Sequence, residues 1–343
     1  CGGAQVVACS NGTTALHLAC IAMEIGPGDA VIVPTLTFLA TANAVRYCGA
    51  EVVFADVDPD TGLMGVKEAE DAIARAKAAG KKLKALFCVH LAGQMCSLKG
   101  LSELANTHDL FLLSDSCHAL GSKRDGAMAG ECRYEDVAAF SFHPVKTIAM
   151  GEGGAVTTQH DYMARAMRTA RSHGMVHTPE DGPWAYKMPD LGYNYRVPDV
   201  LCALGVSQLK KLGGFIEKRQ KLAALYDELL APLAPVIQTP QRVCEDEPAW
   251  HLYALRIDFA ALGMDRAMFM NALKAQGIGS QVHYIPVHSQ PYYKGLYGDL
   301  NLPGAQHYYE HTLSIPLYPA LEEAEARRVA EAITALCKKK EAA

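Results

Sequence analysis

Three short stretches of this chain carry side chains whose types and spacing could do chemistry. Lys146 stands five residues beyond Ser141, after the apolar run Val137 to Ser141 and just before Gly151-Glu152-Gly153-Gly154. A lone lysine is ordinarily a solvated surface residue. A lysine in a partly desolvated pocket loses its proton more easily and becomes a nucleophile able to form a Schiff base. Asp115 sits at the end of the apolar run in Leu112-Leu113-Ser114-Asp115-Ser116-Cys117-His118-Ala119. That is where α/β proteins place ligands, and a carboxylate there can keep a pyridine nitrogen protonated, as an electron-sink cofactor requires. It could equally cap the segment that follows. His118 could reach the same ligand. The third stretch, Ser10-Asn11-Gly12-Thr13-Thr14-Ala15-Leu16, leads from a small polar turn into an apolar helix. Free N–H groups at such a helix start, with hydroxyls beside them, bind phosphate. The same residue types are also the preferred N-caps, which is the ordinary reading of the stretch taken alone.

The elements that must position these residues follow from the hydrophobic pattern. Val31 to Val33, Glu51 to Ala55, Ala85 to Val89 and Leu110 to Ser114 read as buried strands, joined by Val137 to Ser141 and Gly154 to Thr158. Helical patterns fall between them at Thr14 to Ile25, Leu39 to Tyr47, Val66 to Ala78 and Leu98 to Thr107. This alternation predicts an α/β domain with a mainly parallel sheet covered on both faces. After Gly192 the texture changes to two long helices, Pro198 to Leu212 and Phe215 to Leu230, followed by Pro232, Pro235 and Pro240. Strand and helix patterns then alternate from Trp250, ending in the amphipathic segment Leu321 to Cys337 and a low-complexity tail, Lys338 to Ala343. The expected division is a large domain over residues 1–215 and a smaller α+β domain over 216–343.

The totals narrow the function classes. Half of the 343 residues are hydrophobic and a fifth are charged, as in a soluble globular protein of the cytoplasm. A net charge of −5 offers no broad basic surface for nucleic acid. No apolar run is long enough to span a membrane. The eleven cysteines are scattered, and Cys88, Cys96, Cys117 and Cys132 lack the paired spacing of a zinc site, so no metal is expected. An odd number in a chain of this length reads as reduced thiols. The opening Cys1-Gly2-Gly3, without Met and directly before an apolar stretch, suggests a domain whose N-terminal segment is missing.

Taken together and in order, the motifs resemble those of the fold-type I sugar aminotransferases of the DegT/StrS type. The resemblance spans essentially the whole chain. It includes N-G-T-T-A-L from Asn11, P-T-L-T-F-L-A-T-A-N-A-V from Pro34, D-S-C-H-A-L-G from Asp115, S-F-H-P-V-K from Ser141 and G-E-G-G from Gly151. L-G-Y-N-Y-R from Leu191 and Q-V-H-Y-I-P from Gln281 complete the set. Within the family, A-G-Q from Ala92, R-S-H-G-M from Arg171 and Q-V-H-Y-I-P-V look most like the transaminases of pseudaminic acid biosynthesis.

The resemblance implies pyridoxal 5'-phosphate as cofactor, a nucleotide-linked keto sugar as amino acceptor, L-glutamate as donor and a homodimer with shared active sites. By the same resemblance Lys146 is the Schiff-base lysine and proton carrier, and Asp115 the partner of the pyridinium nitrogen. Phe38 is the aromatic that stacks on the ring, and His118 meets the cofactor near its ring hydroxyl or face. Thr13, Thr14 and Ser141 hold the phosphate, with Asn194 reaching the phosphate of the neighbouring subunit. Gln281, Val282, His283 and Tyr284 contact the nucleotide sugar. The family commonly has alanines where this chain has Ser116 and Cys117.

Three other readings compete. A nicotinamide dehydrogenase is mimicked by Val52-Val53-Phe54-Ala55-Asp56, but no G-x-G-x-x-G follows a strand upstream. A dehydratase of the same family would carry His in place of Lys146. A binding protein that keeps only the fold is opposed by the retention of Lys146 and Asp115.

Overall fold

The computed structural model describes residues 1–246 and 248–338, so residues 339–343 of the low-complexity tail lie outside the described residues. Seven strands form the main sheet: β1 (Gln5–Cys9), β2 (Asp29–Pro34), β3 (Glu51–Ala55), β4 (Lys82–Val89), β5 (Phe111–Asp115), β6 (Val137–Ser141) and β7 (Gly154–Thr158). Their order is β1-β7-β6-β5-β4-β2-β3. The pairings from β3 across to β6 are parallel, and β7 runs antiparallel to both of its neighbours. All six residues of β2 are buried. That is the burial expected of a strand covered on both faces, and it explains why the strands read as continuous apolar runs.

Five helices serve this sheet: α1 (Gly12–Ala22), α2 (Leu39–Tyr47), α3 (Val66–Ala78), α4 (Leu98–Thr107) and α5 (Asp161–Arg171). The bounds of β3, β6, β7, α2, α3 and α4 coincide with the sequence pattern. The pattern did not reveal β1 and α5. The buried face of α5 consists of Met163, Ala164, Met167 and Ala170, a stripe of methionine and alanine. β1 pairs only with β7, whose residues lie about a hundred and fifty positions along the chain.

Beyond the sheet come α6 (Asp199–Leu209) and α7 (Leu212–Leu230), each close to its expected span. Strands β8 (Ile237–Gln238), β9 (Tyr253–Ile257) and β10 (Thr312–Ile315) make a small antiparallel sheet. Leu222 and Tyr226 of α7, Trp250, Tyr253, Phe269 of helix α8 (Arg266–Lys274) and Ile333 bury a second core around it. Between β9 and β10 the chain returns to the first core. There it forms helices α9 (Pro291–Tyr297) and α10 (Pro303–His311), and Val287, Tyr293, Leu302, Ala305 and Tyr308 pack with the main sheet's interior. Helix α11 (Glu323–Lys338) then closes the second core.

Asp56, the residue that mimics a ribose-binding acid, has another use. Its carboxylate accepts the N–H groups of Gly304 and Ala305 at 2.9 and 2.7 Å, capping α10. A Cβ on Gly304 would lie 1.9 Å from the Val57 carbonyl oxygen, so only glycine allows this approach.

Candidate active site

The ends of β5 and β6, the start of β7 and the start of α1 all meet at the carboxyl edge of the parallel strands, where open α/β sheets bind ligands. Register brings them together: Gly154 pairs with Ser141 on one side and with Cys9 on the other. Two glycines make the approach possible. A Cβ on Gly154 would lie 2.3 Å from the Asn11 carbonyl oxygen, and one on Gly12 would lie 2.7 Å from Cβ of Ser141. A cavity of about 380 Å³ opens there, and its walls include Gly12, Thr13, Phe38, Asp115, His118, Ser141, Lys146 and Tyr284. Seven of the residues picked out by motif therefore share one chamber.

The start of α1 serves two ends at once. Asn11 caps it: its side chain accepts the Thr14 N–H at 2.9 Å, while the Thr14 hydroxyl accepts the Asn11 N–H at 3.1 Å and donates to the Asn11 carbonyl at 2.8 Å. Thr14 thus spends its hydroxyl on the cap and does not line the cavity. Gly12 and Thr13 do line it, and their N–H groups have no acceptor among the described residues. The N-cap and the anion site are adjacent rather than alternative readings of one motif.

Asp115 is 6 % exposed. One carboxylate oxygen accepts the Thr41 hydroxyl at 2.7 Å and the other accepts the Cys117 N–H at 3.1 Å. Thr41 is braced in turn by Thr37 at 2.7 Å. Donors on both oxygens favour the charged form of the acid. Thr37 and Thr41 are functional positions that motif reading passed over. Their signal is the i, i+4 spacing across the start of α2, which turns both hydroxyls the same way. The phenyl group of Phe38, more than half exposed, lies on the cavity wall and is tilted toward Tyr284 with ring centres 6.0 Å apart.

Lys146 follows a turn closed by its own N–H to the His143 carbonyl at 2.9 Å. Its amine makes no ion pair among the described residues. Its charge is felt nearby: together with burial, which is the larger effect, it depresses the pKa of His118, His251 and His283, that of His283 to about 4. Burial also pushes the Cys117 thiol up, with the neighbouring Asp115 adding to the effect. His251 is a second residue that motif reading missed. It comes from the far side of the chain, yet its ring lies 4.3 Å from that of His118.

A flat ring with a phosphate at one corner, an aldehyde, and a protonatable nitrogen fits this set. The N–H groups of α1 and Ser141 suit the phosphate, Asp115 the nitrogen, Lys146 the aldehyde and Phe38 a ring face.

The remaining motif residues lie outside the chamber of a single chain. Asn194 is exposed, in a loop fixed by backbone contacts: its bridge to Ser172, Tyr193 N–H to Ala170, His173 N–H to Tyr193 and Ser10 N–H to Tyr195. The R-S-H-G-M and L-G-Y-N-Y-R stretches therefore pack on each other. A Cβ on Gly192 would lie 1.8 Å from the Gly174 nitrogen. Gln281 bridges to Ser314, Val282 packs on the second core, and His283 Nδ1 is 2.9 Å from the Ser314 hydroxyl. Of that segment only Tyr284 reaches the cavity.

All eleven cysteines are free. The fold does bring Cys88, His90 and Cys96 together, their ligating atoms within 4.8 Å of one another. The turn already uses these atoms, however: His90 Nδ1 accepts the Cys96 N–H at 3.2 Å and the Cys96 thiol donates to the Val89 carbonyl at 3.3 Å. No helix among the described residues is long and apolar enough to cross a membrane.

Residues 1–334 match the DegT/DnrJ/EryC1/StrS aminotransferase family. Among curated relatives, the spore coat polysaccharide biosynthesis protein SpsC of Bacillus subtilis is 36% identical, over 98% of this chain and 86% of its own. GDP-perosamine synthase of Caulobacter vibrioides is also 36% identical, over 97% of this chain and 86% of its own. Among solved structures, Helicobacter pylori PseC, an aminotransferase of pseudaminic acid biosynthesis, superposes with a TM-score of 0.88 at 27% identity, covering 97% of this chain and 87% of that one. A Streptococcus pneumoniae protein described as a sugar aminotransferase, in its PLP form, gives 0.88 at 29% identity, covering 97% and 87%.

Proposed function

The chain belongs to the DegT/DnrJ/EryC1/StrS aminotransferase family and is a pyridoxal-phosphate-dependent sugar aminotransferase, and from that premise we propose its specific reaction. It moves an amino group from L-glutamate to C4 of a UDP-linked 4-keto-6-deoxy-N-acetyl sugar, a step of pseudaminic acid biosynthesis. The observation that carries the amino transfer is the meeting of Lys146, Asp115, Phe38 and the start of α1 around one cavity.

When bound, pyridoxal phosphate supplies an electron sink for the carbanion that amino transfer requires. The protein's part is to bind, orient and move protons. Gly12, Thr13 and Ser141 hold the phosphate, and Phe38 covers a ring face. Asp115, fixed at both oxygens by Thr41 and Cys117, holds a proton on the ring nitrogen. The Lys146 amine binds the aldehyde covalently between turnovers. During turnover its Nζ takes the proton from the donor's α-carbon and returns it at the neighbouring carbon. The keto sugar meets the same residues in reverse order, which gives ping-pong kinetics.

The choice of sugar is supported by the A-G-Q, R-S-H-G-M and Q-V-H-Y stretches and by the likeness to PseC. A GDP-linked keto sugar is the second reading, because identity to GDP-perosamine synthase, at 36%, exceeds the 27% to PseC. Two measurements test the whole. Borohydride reduction of the cofactor-loaded wild type should label the peptide that contains Lys146, and Lys146→Ala should take no label and not turn over. Glutamate with UDP-, GDP- and dTDP-linked 4-keto sugars, followed by product mass, should show amination of the UDP sugar. Amination of a GDP or dTDP sugar alone overturns that assignment.

A homodimer completes the reading. Helix α6 buries only Gly205 within the chain and exposes Val200, Leu204, Val206 and Leu209. Trp184, Tyr186, Met188 and Leu191 are likewise exposed on the segment leading to Asn194. An apolar surface of this extent marks an interaction site, and two-fold pairing is the commonest way to cover one. Such pairing would let Asn194 serve the partner's phosphate site.

A further inference from the structure

The directions of three hydrogen bonds at the back of the cavity are fixed by one backbone group. Ala92 N–H can only donate, and it points at His118 Nδ1 at 3.3 Å. That nitrogen therefore presents its lone pair. The ring is 5 % exposed and tilted against His251 at 4.3 Å, so a charged imidazole has no favourable environment there. A neutral ring has one hydrogen, which must be on Nε2. Nε2 lies 3.1 Å from the Tyr284 hydroxyl, so His118 donates and the tyrosine oxygen accepts. The hydrogen of Tyr284 must then point elsewhere. Its ring lines the cavity, and its hydroxyl has no other partner among the described residues.

We propose that Tyr284 is a fixed O–H donor aimed into the cavity, and that His118 is a positioning residue that acts through it rather than touching the ligand itself. The chain Ala92 N–H, His118, Tyr284 carries one hydrogen-bond direction from a buried backbone amide to the site. Its target is an oxygen acceptor, either the ring oxygen of the cofactor or an oxygen of the keto sugar. A site that offers a fixed donor rejects ligands without the matching acceptor far more strongly than an apolar pocket would. The inference rests on the aminotransferase reading above.

The test uses full-length, cofactor-loaded protein. Two quantities are read for wild type, Tyr284→Phe, His118→Ala, His118→Gln and the double variant Tyr284→Phe/His118→Ala. One is the pH titration of the bound cofactor's visible absorption without substrate, and the other is KM against kcat for the keto sugar. A displaced absorption titration in Tyr284→Phe assigns the donor to the cofactor oxygen, and a KM or kcat changed at least fivefold with an unmoved titration assigns it to the sugar. His118→Ala should reproduce most of the same change, and the double variant should be no worse than Tyr284→Phe alone. His118→Gln, which offers one acceptor and one donor as the neutral ring does, should recover toward wild type. If Tyr284→Phe moves neither quantity, or if the two single effects simply add, the proposal is overturned. Should the aminotransferase reading itself fail, wild type would show no borohydride label on Lys146, a separate outcome.

Discussion

The floor of the cavity and its surroundings are built on opposite plans. At the floor, Asp115, Ser141, Lys146 and the start of α1 come from strand ends and turns of one sheet, and each side chain is already held by neighbours in the same chain. Outside it, Asn194 and Gln281 to His283 sit on segments that a single chain leaves exposed or half-buried. The floor is preorganised and the surroundings await a partner. A substitution at the floor should therefore change chemistry without changing assembly, and one at the exposed apolar surface should do the reverse.

The largest effect belongs to Asp115. In Asp115→Asn the Thr41 and Cys117 contacts can persist, so fold and cofactor binding should survive. The amide cannot hold a proton on the ring nitrogen, and turnover should fall on the order of a hundred- to a thousandfold, the usual scale for one misplaced electrostatic group. Near-normal kcat would remove Asp115 from the mechanism.

Next is the exposed apolar surface. Asn194→Ala and Lys146→Ala should each be poorly active alone. If the site is shared between subunits, hybrids of the two have one site with both defects and one with neither. Co-refolded mixtures should then recover roughly a quarter of wild-type activity, the statistical share for a two-fold dimer. No recovery would place Asn194 outside the partner's site. Val200→Asp on α6 gives an independent reading, since it should shift the sedimentation profile toward monomer and lower activity with it.

A smaller effect is expected at Thr41. Thr41→Val keeps the shape of α2 and removes one donor from a carboxylate. Such a bond contributes about 1.5 to 3 kcal/mol when made to a charged group, so kcat/KM should fall roughly tenfold to a hundredfold. An unchanged value would mean that the Thr37–Thr41 pair serves only packing.

This contrast also explains what could be read from sequence. Strand and helix bounds such as Glu51–Ala55, Val137–Ser141 and Leu98–Thr107 were legible because runs of valine, leucine and phenylalanine, punctuated by glycine and aspartate, encode them locally. Helix α5 was not, because its core face is made of Met163, Ala164, Met167 and Ala170. Asp115 and Lys146 stood out because a strand end fixes each of them. Thr41 reaches Asp115 across 74 residues, and His251 meets His118 across an even longer separation, so no local spacing announces either. The Ser10 to Thr14 turn was legible as a cap or a phosphate site, and the structure divides these tasks between neighbouring residues.

That division provides the smallest and sharpest test. Thr13 faces the cavity and Thr14 closes the capping box with Asn11, so two adjacent threonines of the same motif should respond differently to alanine. Thr14→Ala removes both hydroxyl contacts to Asn11 and should cost about 1 kcal/mol of stability, the usual value of a helix cap. For a chain of this size that lowers Tm by roughly 2 to 4 °C. Its cofactor affinity should hardly change, because Thr14 does not line the cavity. Thr13→Ala leaves the cap intact and should leave the apoprotein's Tm where it is. It removes a hydroxyl beside the anion, and a hydrogen bond to a charged group is worth about 1.5 to 3 kcal/mol, so cofactor affinity should weaken roughly tenfold or more. Tm of the apoprotein and the dissociation constant for pyridoxal phosphate, measured on both variants, separate the two roles. If Thr14→Ala weakens the cofactor as much as Thr13→Ala does, the capping box and the anion site act as one unit, and the start of α1 cannot be divided as its hydrogen bonds suggest.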